Sequence, residues 1–137
     1  GIPDDILNKS EGLSSEERAI IQQHPPLTST ILDPLEKFKH FSDIARYHHE
    51  RWDGKGYPDG LADEDIPLLA RIVSITDTWD AMTSDRVYRK GMAKEKAIKI
   101  LEQERDSGQW DPHLIDQFVT LVRKNNLYET PPLEIAA

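Results

Sequence analysis

HHERWDGKGYPDG, residues 48 to 60, sets two adjacent histidines and an acid directly before a segment holding three of the chain's seven glycines. It divides two helical patterns. Upstream, from Phe41 to Trp52, the residues Ile44, Ala45, His48, His49 and Trp52 fall on one face by the i, i+4, i+8 rule, so a helix there points both histidines coreward. Downstream, Pro67 to Ser84 reads as a longer helix with Ala70, Val73, Asp77 and either Ala81 or Ser84 along one apolar stripe. Strand-like alternation is hard to find, and the reading is an all-α domain.

The flanking sequence carries further helix signals. Ser14 and Glu17 form a capping box that predicts a helix running to about His24. Pro25 and Pro26 interrupt it, since neither donates an amide hydrogen and Pro25 disfavours helical geometry at His24. A new helix then has the stripe Leu27, Ile31 and Leu35, with Pro34 kinking or shortening it. Ala93 to Ser107 is a lysine- and glutamate-rich amphipathic helix that Gly108 terminates in a left-handed conformation. Asp111 and Pro112 start the last helix as N-cap and first helical residue, and it continues through Leu114, Ile115, Phe118, Val119 and Val122. The tail after Asn125 reads as loosely ordered, which sets the domain at residues 1–124 and the tail at 125–137.

Composition limits the function. A chain of 137 residues fits one domain with one core. Hydrophobic residues make up 37% and charged residues 31%, with no apolar run long enough to cross a bilayer, so no membrane span is expected in this chain. The absence of cysteine removes thiolate ligands, and any metal here must take nitrogen and oxygen donors. A formal net charge of −8 opposes broad binding to a nucleic-acid backbone, although clustered arginines still suit a small anionic ligand.

Four residues look misplaced on apolar stripes: His24, His48, His49 and Asp77. An ionisable group buried without a partner costs several kcal/mol in rough transfer terms, so each needs hydrogen bonds or a metal. Taken singly, His24 reads as a packed histidine bonded to a carbonyl, and Asp77 as an N-cap or half of a buried pair. The adjacent histidines suit either core packing or ligation at a groove between helices. Taken together, the four share one explanation in a metal site, and imidazole with carboxylate suits iron or manganese at least as well as zinc. Trp52 and Trp79 read as core anchors, and the charged run from Lys94 to Arg105 as a solvated face. The glycines, Pro58 and Asp59 of the opening stretch are ordinary turn formers, so a simple corner accounts for them on composition alone.

The longer string HHERWDGKGYPDGLADEDIPLLARIVSITDTWDAMTSDRVYRK, residues 48 to 90, resembles the HD-GYP domain. That family has a double histidine, a DGxGYP loop, an IPxxAR helix start and a D-x-x-D-A-x-T-S-x-R segment. GIPDDIL resembles the segment just after the family's His-Asp signature, His24 matches a metal histidine, and the WDP of Trp110 to Pro112 stands where FDP is usual. The resemblance covers the chain to about Val122 and implies an HD-domain-like helical bundle, N-terminally truncated because the chain begins just past the His-Asp pair. It implies metal-dependent hydrolysis of cyclic di-GMP to pGpG or GMP, in the cytoplasm of a bacterium. Metal ligands would be His24, His48, His49 and Asp77, with Asp77 also catalytic, around two or three iron or manganese ions in an intact domain and partial or no occupancy here. Arg86 and Arg89 would meet ligand phosphates, Tyr57 would offer a stacking surface, and Gly56, Tyr57 and Pro58 would dock on diguanylate cyclase (GGDEF) domains.

Three functional classes follow as expectations. The chain is the larger part of a cyclic di-GMP phosphodiesterase, inactive alone and fused in its parent to a sensory or receiver domain. It is otherwise a degenerate module that binds nucleotide or a cyclase domain without turnover, or a metal-free helical scaffold.

Overall fold

The computed structural model describes residues 2–7, 9, 11–85 and 90–124, and among these every regular element is helical. Arg86, Arg89 and the tail 125–137 lie outside the described residues. The short helix α1 (Asp4–Leu7) buries Ile6. Helix α2 (Ser15–Ile21) begins at the expected capping box: Ser14 Oγ accepts from the Glu17 amide at 3.2 Å, and the Ser14 amide donates to Glu17 Oε2 at 2.7 Å. It ends at Ile21, and α3 (His24–Leu32) then carries Pro25 and Pro26 in its first turn, where a missing amide hydrogen removes no helical bond.

Helix α3 packs against α4 (Ser42–Tyr47) through small polar residues. Ser29 and Ser42 are both buried, and Ser42 Oγ donates to Asp33 Oδ1 at 2.6 Å. The expected stripe therefore faces the wrong way: Leu27, Ile31 and Leu35 are 47%, 59% and 46% exposed, while Pro25 and Ser29 carry the buried side. Leu27 and Ile31 instead line an open apolar cavity with Ile2, Leu7 and Ile21.

A second correction concerns the helix predicted through Trp52. Helix α4 ends at Tyr47, with His48 as its cap. The chain leaves the helix because its amides find other partners: Trp52 donates to the Gln109 carbonyl at 3.2 Å and Asp53 to the Gly108 carbonyl at 2.8 Å. Gly108 is left-handed as expected, at φ +81°, but α6 (Lys94–Gln103) has already ended, so its glycine serves this pairing and not a helix cap. A Cβ on Gly108 would stand 2.9 Å from Asp53 Cβ.

Between them runs α5 (Leu68–Thr83), the longest helix, at the predicted place. Residues 75, 79 and 82 share one flank, which packs into the core with Ile98 and Leu101 of α6 and with Ile115, Val119 and Val122 of α7 (Pro112–Lys124). Trp110 completes this cluster, and Trp79 meets Phe118 edge-on at 5.6 Å, as a core anchor should. Trp52 sits outside that cluster, half-buried, with the Arg71 guanidinium over its ring at 5.6 Å. Residues 74, 77 and 78 turn away from that flank, and Asp77 is exposed and does not sit on a buried stripe. Asp111 caps α7 as read from the sequence, accepting from the His113 amide at 2.9 Å. Its other oxygen takes Arg71 Nη1 at 2.8 Å, which ties the start of α7 to α5.

Candidate metal centre

Three imidazoles meet where α3, α4 and the following loop converge. His24 is the first residue of α3, His48 caps α4, and His49 is next in the chain. Their ring centroids lie 5.5 Å (His24 to His48), 5.0 Å (His24 to His49) and 4.1 Å (His48 to His49) apart. One nitrogen from each falls within 4.8 Å of the other two.

Backbone carbonyls fix two of the rings. His24 Nδ1 donates to the Ile21 carbonyl at 2.7 Å and His48 Nδ1 to the Ala45 carbonyl at 2.9 Å. Because a carbonyl only accepts, each Nδ1 must carry the hydrogen, which leaves Nε2 with its lone pair free for a cation. Burial favours the neutral form of the adjacent pair: it lowers the pKa of His48 and, with the neighbouring rings His48 and His24, takes His49 down to about 4. Neutral imidazole is the form that ligates metal.

The loop after the histidines folds back onto them. Tyr57 stacks on His49, centroids 5.0 Å apart and planes 25° from parallel, and its amide donates to the His49 carbonyl at 3.3 Å. Burial first, and then the charge of Asp77, raises the Tyr57 phenol pKa. Gly56 allows this approach, since a Cβ there would collide with the backbone of Glu50 and Arg51. Glu50 Oε1 accepts from the Asp59 amide at 2.7 Å and the Gly60 amide at 3.0 Å. Arg46 of α4 holds the Asp59 carboxylate through two bonds of 2.9 and 2.8 Å.

A cavity of about 210 Å³ opens beside the rings, lined by His48, His49, Glu50, Arg51, Tyr57, Ser74, Asp77, Thr78 and Gln109. The sequence reading named His48, His49, Tyr57 and Asp77 among these, and the structure brings them to one place. Asp77 contributes its charge to His48 and Tyr57 but stays outside the tight group of three donors. His24 reaches the group from the other side, through its ring contacts. Gly56 and Pro58 flank Tyr57 in the loop, while Arg86 and Arg89 lie outside the described residues.

Sequence reasoning missed Glu50, Arg51 and Gln109. Glu50 directly follows the histidine pair, and that adjacency was the available signal. Gln109 arrives through the backbone pairing of Gly108 and Gln109 with the loop, which no local pattern announces. Arg51 is already committed to Asp53 by bonds of 2.9 and 2.8 Å, which hold the Asp53 carboxyl well below the usual range. A separate apolar groove between α5 and α7, lined by Ile72, Ile75, Leu114, Gln117, Phe118 and Leu121, carries no titratable group.

The donor set suits a divalent cation: three imidazoles, two with their second nitrogen bonded to carbonyls, and a carboxylate on the facing helix.

Residues 1–114 match the family described as HD domain. A probable cyclic di-GMP phosphodiesterase of Vibrio cholerae is 39% identical over 137 residues, covering 94% of this chain and 30% of that protein. A cyclic di-GMP phosphodiesterase of Pseudomonas aeruginosa is 40% identical over 122 residues, covering 88% of this chain and 29% of its own length. A 3'3'-cGAMP-specific phosphodiesterase of Vibrio cholerae is 38% identical over 103 residues, or 75% of this chain and 22% of the relative. The chain thus spans less than a third of the length of these relatives. With the family match covering most of its length and the GYP loop seated on the histidine cluster, the chain belongs to the HD-domain family in its HD-GYP form, a family that implies divalent-metal binding.

Proposed function

We propose that this chain is part of a metal-dependent phosphodiesterase that hydrolyses cyclic di-GMP to pGpG or GMP. The observation that carries the reading is the convergence of His24, His48 and His49, with two Nδ1 hydrogens donated to carbonyls and the third ring covered by Tyr57. These rings and Asp77 would hold iron or manganese, since the chain offers no thiolate. The ion would supply positive charge to the phosphodiester and a bound water of lowered pKa.

The protein's own groups do the positioning. Asp77, exposed at the cavity, would provide the carboxylate that faces the rings, as metal ligand and catalytic residue. Tyr57 offers one edge of its ring to the ligand while its face stays on His49. Because Arg46 and Arg51 are both held by aspartates, cationic contacts to the ligand phosphates fall to Arg86 and Arg89. The exposed residues Lys55, Asp59 and Gly60, beside Gly56 to Pro58, are where a diguanylate cyclase (GGDEF) domain would dock. No described helix is long and apolar enough to cross a membrane, and the site of action of the whole protein would be the cytoplasm, where its nucleotide is made.

A second reading, hydrolysis of 3'3'-cGAMP, is favoured by the similarity to a phosphodiesterase specific for that compound. Product release from both cyclic dinucleotides by the whole manganese-loaded protein, with His49→Ala as control, tests both readings. Hydrolysis of cyclic di-GMP that His49→Ala abolishes supports the first, and preference for 3'3'-cGAMP supports the second. Binding without hydrolysis of either would replace both with a non-catalytic nucleotide receptor.

A further inference from the structure

Glu50 is the most deeply buried acid among the described residues, 3% exposed, and only half of its carboxylate is satisfied. Oε1 takes the Asp59 and Gly60 amides, while Oε2 is buried with no hydrogen-bond partner among the described residues. The neighbouring cations are already engaged: Arg46 is bidentate to Asp59 and Arg51 bidentate to Asp53. A buried carboxylate oxygen without a donor is strongly unfavourable, and such an atom calls for a specific cause. Loop anchoring explains Oε1 alone, because a glutamine would serve the two amides equally well.

Glu50 also lines the cavity beside His48 and His49, yet its oxygens fall outside the group of donors within 4.8 Å of one another. With Oε1 spent on the two loop amides, Glu50 suits a carboxylate that reaches a cation through its hydration shell. We propose that Glu50 is a positioning residue of the metal centre, whose second carboxylate oxygen turns to the hydration shell of the ion when the centre is filled while Oε1 fixes the GYP loop. The inference rests on reading the centre as a metal site. It makes Glu50 a side chain that joins loop and ion, so that filling the centre tightens the loop carrying Tyr57.

The test is Glu50→Gln in the 137-residue chain, titrated with Mn2+ alone, with thermal unfolding followed separately in chelator. Gln keeps the acceptor for the two amides but offers an NH2 group where the carboxylate would accept. Partners of this outer kind typically contribute about 10–100-fold in metal affinity. The expected result is Mn2+ binding at least about tenfold weaker, with the melting temperature in chelator unchanged or raised because a buried charge is gone. Arg46→Met, which loosens the same loop from its exposed side, should leave Mn2+ affinity within about twofold, in line with the small worth of an exposed ion pair. Equal Mn2+ affinity in Glu50→Gln and wild type would overturn the proposal and leave the metal site standing. An equal loss in Arg46→Met would overturn it too, by showing that the effect runs through the loop. A wild-type chain that binds neither Mn2+ nor Fe2+ would overturn this proposal, since the rings of this chain would then hold no ion for Glu50 to position.

Discussion

Tyr57 lies nearly flat on His49, 25° from parallel at 5.0 Å, and its amide bonds the carbonyl of the same histidine. One residue of the loop thus holds both the ring and the backbone of a proposed ligand. Aromatic pairs of this kind are worth about 0.5–1.5 kcal/mol beyond their buried area. Replacing Tyr57 by alanine should therefore weaken Mn2+ binding by about two- to tenfold, whereas Tyr57→Phe should bind as wild type does. Calorimetric titration decides it, and equal affinities in all three proteins would show that the stack does not position His49.

Acid should destabilise the metal-free protein through the same ring. Folded His49 titrates at about 4 against an ordinary 6.5, and His48 shifts in the same direction. Between those values the unfolded chain binds more protons than the folded one, so stability rises with pH. The contribution is complete above about 6.5 and is lost progressively as the pH falls toward 4. Melting temperatures in chelator should thus drop from pH 7 to 4.5 more steeply for wild type than for His49→Gln. Parallel curves would contradict the burial of a neutral ring.

What the sequence made legible was mostly local. The Ser14 capping box, the Asp111-Pro112 start of α7 and the span of α5 each depend on residues within one turn, and each appears where read. The errors came from tertiary competition. The periodicity through Trp52 was real, but the backbone of Trp52 and Asp53 bonds to Gly108 and Gln109, more than fifty positions away. Likewise, Leu27 and Ile31 are apolar at helical spacing, but the side of α3 that packs was settled by two serines. The histidines were legible as a set because three titratable groups on patterned positions are hard to explain separately. Glu50 was not, since an acid beside a loop reads as solvated until its burial is seen.

Asp111 should be among the most sensitive positions outside the centre. It caps α7 and accepts Arg71 Nη1 at 2.8 Å, with side-chain exposures of 7% for Asp111 and 14% for Arg71. Removing one partner leaves a buried charge uncompensated, which typically costs about 3–5 kcal/mol. Asp111→Ala should lose stability on that scale in urea unfolding, well beyond the ~1 kcal/mol of an ordinary cap. A loss confined to the cap value would show that Arg71 finds another acceptor.

The histidine pair admits the most direct test, because its location separates binding from folding. His48 and His49 share a cavity with Ser74, Asp77 and Thr78 of α5, and none of these belongs to the core of Ile75, Leu101, Trp110, Ile115 and Val122. Truncating two half-buried rings should therefore leave the helical content intact. With both rings gone, His24 and Asp77 remain as a pair of donors from different elements, too few to retain a divalent ion against water. The double variant His48→Ala, His49→Ala should accordingly lose its Mn2+ and Fe2+ binding. His40→Ala, at an exposed ring tilted 41° to Phe41 at 4.0 Å, should keep it. Metal analysis after dialysis, with circular dichroism to establish the fold, measures both. Equal metal content in the double variant and the wild-type chain would refute the assignment of these histidines as ligands.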